Sequence, residues 1–291
     1  MYNAATDLRI FRRALRLSVL GLLIAGTSAC SGSGDTEKAN ALLEEARTAY
    51  DNHDYTKAIE LIDTLKSRYP REIDVRREAL HLATRATEGL SVLKLQEADS
   101  LTAVLGALGD SLQRQMKFVK NPIEGYYVAA SANPSAFIGT NGLQGRVSPD
   151  GNFYLISSLK AKSVKSTSVT VSADGRSATT SVVGHDGERN DRSMGAEVIT
   201  FMGVECDSVG KFISENLGRN IRLTFNGASS YSMALPAAQA REIALAYDYA
   251  ATIRRFKVAS LEKERLTRTV DIARSQASRT FVEKDSVSPA S

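Results

Sequence analysis

Tryptophan is absent from this chain of 291 residues, and the chemically versatile side chains are few: two cysteines, Cys30 and Cys206, and three histidines, His53, His81 and His185. Each shortage closes a route. Without an indole, stacking on a sugar ring falls to tyrosines such as Tyr126, Tyr127 and Tyr231. A nucleophilic Cys206 would need a histidine carried to it by the fold, and its neighbours Glu205 and Asp207 disfavour the thiolate. A buried structural thiol is the expectation. His53 falls at a turn and His81 in a mixed helix, so both read as structural. There is no Gly-x-Ser-x-Gly elbow, no His-Glu-x-x-His helix and no Walker loop. The loop Gly184 to Asp191 is rich in carboxylates but lacks the ligand series of a calcium loop, and Asp, Asn and Gly are what a long hairpin turn requires. No catalytic residue, metal ligand or cofactor is assigned, and the chain reads as non-enzymatic.

The N-terminal apolar stretch, Val19 to Ala25, falls short of the roughly 20 residues that cross a bilayer. Arg9, Arg12, Arg13 and Arg16 precede it, and the small residues Thr27, Ser28 and Ala29 follow, ending at Cys30. That order is a secretory signal peptide over residues 1–29. Ser28-Ala29-Cys30 resembles the lipobox of bacterial lipoproteins, although the family prefers Leu where this chain has Thr27. The resemblance implies that Cys30 becomes the N-terminus and carries acyl chains such as palmitate, each buried CH₂ contributing about 0.8 kcal/mol to anchoring. It also implies a protein that sits on the membrane without spanning it; secretion after Ala29 without lipid is the alternative. An acylated Cys30 would leave Cys206 without an intramolecular partner, so no disulfide framework is expected. Ser31 matches outer-membrane sorting, and Ser-Gly-Ser-Gly-Asp has little acid beside the cysteine, which favours the periplasmic side over the cell surface. Removing residues 1–29 takes away four arginines and Asp7 from a formal charge of +4, leaving about +1. The mature chain has no basic face, and nucleic acid is excluded as a partner.

Residues 30–36 read as a lipidated flexible tether, and 37–120 as helical. Within the helical part, Ala41 to Tyr69 reads as two amphipathic helices hinged at Asn52-His53-Asp54. Ala49-Tyr50, Asp54-Tyr55, Ala58-Ile59, Leu65 and Pro70 resemble one tetratricopeptide unit, too little for a self-standing solenoid, which implies docking on something longer. The longer element is the helical stretch Ile73 to Val119, where Leu101, Leu105, Leu108 and Leu112 step as a coiled-coil seam and Met116 and Val119 continue the apolar face. Gly106 and Gly109 each cost about 1 kcal/mol in a helix interior, so the helix either runs through or breaks near Gly109-Asp110.

From 124 to 235 the texture is that of an antiparallel meander of eight short strands, Tyr126–Ala130, Leu143–Val147, Phe153–Leu159, Ser168–Val171, Ala178–Val183, Glu197–Met202, Ile221–Phe225 and Tyr231–Leu235. Pro149-Asp150-Gly151-Asn152, Asp174-Gly175 and Asn226-Gly227 mark turns, and one helix, Asp207 to Leu217, interrupts the strands and stops at Gly218. Residues 236–282 form a long C-terminal helix opened by Pro236, and 283–291 a polar tail. The fold class is α+β, with the C-terminal helix pairing back on the first long helix. That helix carries two offset apolar faces, and one partner can cover only one stripe, so Leu261, Val270 and Ala273 are expected to form a partner face. The β-domain with the following helix is similar to poorly characterised envelope lipoproteins of the Bacteroides group. The expectation is a lipid-anchored interaction or scaffold protein that binds a protein partner or a second copy of itself. A small-ligand or glycan module with a pocket in the β-domain is the alternative.

Overall fold

The computed structural model describes residues 32–121 and 124–285. The expected signal peptide, Cys30 and residues 286–291 of the expected tail lie outside the described residues.

Helix α1 (Gly32–Asp51) turns back into α2 (Tyr55–Arg68), and both lie on the N-terminal part of α3 (Ile73–Gln113). Local chemistry fixes the first turn: His53 takes a left-handed φ of 64°, and Asp54 caps α2 by accepting from the Lys57 amide at 3.1 Å. The small side chains Ala49, Ala58 and Ala86 are buried where the three helices meet, beside a larger cluster of Leu43, Ile62, Leu65 and Val75. Helix α1 starts at Gly32, so most of the expected tether is helical. The cause lies in its first turns, where Thr36 Oγ1 donates to Glu72 Oε2 at 2.8 Å and Ala39 is fully buried.

Helix α3 passes Gly106 and Gly109 without a break and stops at Gln113, short of the expected Val119. Met116–Val119 is strand β1, paired antiparallel with β2 (Tyr126–Ala129). The edge of β2 offers this segment a ladder, and the Gln115 carbonyl accepts from the Ala130 amide at 2.9 Å.

A single turn, α4 (Pro134–Phe137), leads into β3 (Gly142–Val147) and β4 (Phe153–Leu159). Then follow β5 (Ser168–Ala173), β6 (Arg176–Thr179), β7 (Asn190–Ser193), β8 (Ala196–Met202), α5 (Asp207–Glu215), β9 (Arg222–Asn226) and β10 (Ser230–Ala234). All pairings are antiparallel, but the strands are no simple meander. They form a six-stranded sheet in the order β1-β2-β3-β4-β8-β7 and a four-stranded sheet in the order β10-β9-β5-β6. Two turns explain the strands that differ from expectation. Asp174 and Gly175 both have positive φ, as a two-residue type I′ hairpin requires, and this starts β6 at Arg176 rather than at Ala178. Met194 and Gly195 make the same turn between β7 and β8, so part of the expected loop becomes an edge strand.

One core joins the two sheets to α5 and to the start of α6 (Ala237–Asp285). Leu143, Phe153, Leu155, Ile199 and Phe201 come from the first sheet, Val169, Val171, Leu223 and Phe225 from the second, Val209 and Ile213 from α5, and Ile243, Ala246 and Ala250 from α6. Gly145 lets α6 come down directly on β3, because a Cβ there would sit 2.9 Å from Ala246 Cβ and 3.1 Å from Ile243 Cα. Helix α6 then leaves the β-domain and runs back along α3, giving the expected pairing of the two long helices. The chain is α+β.

Candidate functional site

The two long helices follow one antiparallel register. Glu88 faces Arg274 at 3.4 Å, Asp99 pairs with Lys263, Gly106 faces Phe256 and Gly109 faces Ile253, so each step forward on α3 matches one step back on α6. The contact stripe is buried at seven-residue intervals: Ser91, Ala98 and Leu105 on α3, and Ala259, Leu266 and Ala273 on α6, with Val270 and Ala277 a second pair seven residues apart on the same helix. That is coiled-coil spacing, but α3 fills it largely with small residues.

The expected seam is therefore rotated. Leu105 is 3% exposed and Leu112 packs on the main core, whereas Leu101 and Leu108 are 45% and 43% exposed. The expected partner face is also divided. Val270 and Ala273 are buried in the seam, and only Leu261, 66% exposed, reaches the surface. Helix α6 lays its first apolar face on the β-domain and, of the second, only Val270 and Ala273 on α3.

An apolar flank takes the place of that face. Glu262 accepts from Arg265 at 2.6 and 2.7 Å, and with Lys94 it lies on the side of the hairpin opposite the Asp99–Lys263 pair. Leu101 and Leu108 lie one and two heptads beyond Lys94 on that side, with Val104 between them, and Val258 lies one turn before Glu262. In the antiparallel register Val104 is level with Val258, whereas Leu261, two residues from both Ala259 and Lys263 of the contact stripe, lies on the back of α6. Val104 and Val258 are 64% and 68% exposed. No described residue covers this flank. Isolated exposed leucines are ordinary; here Leu101, Val104, Leu108 and Val258 are exposed together on one side of the helix pair.

The other candidates are engaged structurally. Burial pushes the Cys206 thiol up, with the Asp207 charge adding to it, and Sγ lies 3.5 Å from the carbonyl oxygens of Phe201 and Gly203. Asp186 Oδ1 accepts from the amides of Asn190, Glu188 and Arg189, which holds that carboxyl at about 2. Arg189 Nη1 donates to both oxygens of Glu205, so the loop's acids serve its own turn. Glu197, 3% exposed, accepts from Ser163 Oγ at 2.7 Å and from the Lys165 and Ser166 amides at 2.9 Å. Burial acts to raise its pKa, but these hydrogen bonds and Arg192 outweigh it and hold the group below the usual carboxylate range.

The tyrosines named for a β-domain pocket do not converge. Arg146 stacks over Tyr126 at 4.3 Å, Tyr127 meets Phe118 and Tyr249, and Tyr231 meets Phe225. A tyrosine-lined groove of about 460 Å³ occurs instead at the helical elbow, among Tyr50, His53, Tyr55, Arg85, Gly89 and Gln96. Arg85 sits 5.0 Å above the Tyr50 ring, and Gly89 leaves room for Tyr55. Among the described residues no helix is long and apolar enough to cross a membrane, and no group of three His, Cys, Asp or Glu could hold a metal ion. No protein-family profile, curated protein or solved structure matches this chain.

Proposed function

We propose that the chain is a lipid-anchored, non-enzymatic interaction protein of the bacterial cell envelope, held at the periplasmic side of the outer membrane through acylated Cys30. The observation that carries the interaction role is the apolar flank of Leu101, Val104, Leu108 and Val258. It lies on two helices locked in register by a buried seam, so the surface is stiff and its ordering is already complete before a partner arrives. Along α3, from Ile73 to Gln113, the arm is about 60 Å long at 1.5 Å per residue. The β-domain stands at one end of it and α1, with the expected anchor, at the other. The lipobox resemblance and the single tetratricopeptide-like unit support the same reading.

A photo-crosslinking side chain placed at Val104 in intact cells tests it. The expected result is a discrete protein adduct, either a second copy of the chain or another protein, that disappears when Leu101 and Val258 are both changed to Lys. Absence of any adduct, or one that survives the double substitution, contradicts the proposal.

A further inference from the structure

The end of the arm farthest from the β-domain combines three features. First, Cys30 precedes Gly32, where α1 starts, by two residues in the sequence. An acyl chain on Cys30 would therefore be joined to α1 by a very short linker. Second, the Thr36–Glu72 hydrogen bond fixes the start of α1 against the turn between α2 and α3. Third, that turn and its flanks are basic and apolar together. Lys66, Arg68, Arg71, Arg76 and Arg77 fall within twelve residues, against Glu72, which accepts from Thr36, and Asp74, which meets Arg77 at 3.4 Å; Lys66 also meets Asp63 at 3.5 Å, and Arg76 donates to the Pro70 carbonyl at 2.7 Å. Ile73 and Leu80 are 66% and 49% exposed and share a face of α3 two turns apart. With Lys66, Arg76 and Arg77 they line a shallow groove of about 260 Å³.

We infer that this tip is a membrane-contact surface for anionic lipid headgroups, with Ile73 and Leu80 entering the headgroup layer between the basic side chains. The inference rests on the lipid-anchored reading. An acyl anchor and a basic patch reinforce each other, because the anchor holds the patch within a Debye length of the charged surface. The contact also sets direction: with the tip on the bilayer, α3 and α6 point away from it and carry the β-domain outward.

The absence of tryptophan supplies a clean probe. Ile73→Trp reports the tip, and Val204→Trp, at a position 91% exposed in the β-domain, reports the far end. The full lipidated protein is reconstituted in vesicles of phosphatidylethanolamine and phosphatidylglycerol containing brominated lipid. The expected result is blue-shifted, quenched emission from Ile73→Trp and unquenched emission from Val204→Trp. Arg68→Glu with Arg71→Glu should cut the Ile73→Trp quenching severalfold while the protein stays with the vesicles. Replacing phosphatidylglycerol by phosphatidylcholine should do the same. Anchored protein whose Ile73→Trp emission remains that of an aqueous indole overturns the tip contact alone. Quenching that is unchanged by charge reversal or by neutral lipid overturns its dependence on anionic headgroups. Protein that does not stay with the vesicles at all sinks the lipid anchor, and this inference with it.

Discussion

Ile253 Cδ1 of α6 lies 3.4 Å from the point that a Cβ on Gly109 of α3 would occupy. The glycine that weakens the helix in the sequence is thus a site of close helix approach, and α3 runs through it to Gln113. Gly109→Ala fits the available space and gains helix propensity, so it should raise stability by up to about 1 kcal/mol. Gly109→Leu must displace Ile253 and should lower it by about 1–3 kcal/mol. Chemical denaturation of both variants checks this; equal effects would mean that the two helices are not in contact at this level.

Leu105 and Leu101 make a matched pair on the same helix. Leu105→Asp places a carboxylate in a seam position that is 3% exposed and should cost about 3 kcal/mol or more. Leu101→Asp, on a side chain 45% exposed, should stay within about 0.5 kcal/mol. A comparable loss in both would place the seam where the leucine spacing alone puts it.

That contrast shows what the sequence carries. The helical turn at His53-Asp54, the main strands and the pairing of the two long helices follow from periodicity and turn chemistry. The rotation of the seam does not, because Ser91, Ala98 and Gly109 are buried through small size rather than hydrophobicity, while Leu101 and Leu108 carry the stronger apolar signal. Strand β7, Asn190–Ser193, is a polar edge with no alternation to read, and β1 follows directly on a helix whose apolar spacing it appears to extend. The division of the sheets depends on long-range pairing, such as β5 with β9, which no local pattern encodes. For the candidate site, Leu261 was legible as surface, and Val270 and Ala273 were misplaced by the same rotation.

Lysine substitutions separate those residues. Val270→Lys should lower stability by about 3 kcal/mol, since Val270 is 2% exposed and the charge would be unpaired in the seam. Leu261→Lys should leave thermal unfolding nearly unchanged. Similar unfolding curves for the two variants would contradict the register of α3 on α6.

The carboxyl of Glu197 ties the segment Ser163 to Ser166 to strand β8. Its folded pKa lies below the ordinary value, so its stabilising contribution is complete above the unfolded pKa, about 4.3, and is lost as pH falls through the folded value. Wild type should therefore exceed Glu197→Gln in stability by a constant margin from pH 7 to about pH 5, and the margin should shrink below about pH 4. A margin unchanged down to pH 3 would show that the charge on Glu197 contributes nothing.

Membrane anchoring turns on the state of Cys30. The intact mass of the protein taken from its own membranes should correspond to a chain that begins at Cys30 and carries acyl groups, and Cys30→Ser should lose both the added mass and the membrane association. A native chain that retains residues 1–29, or that begins after Ala29 without lipid, would contradict it.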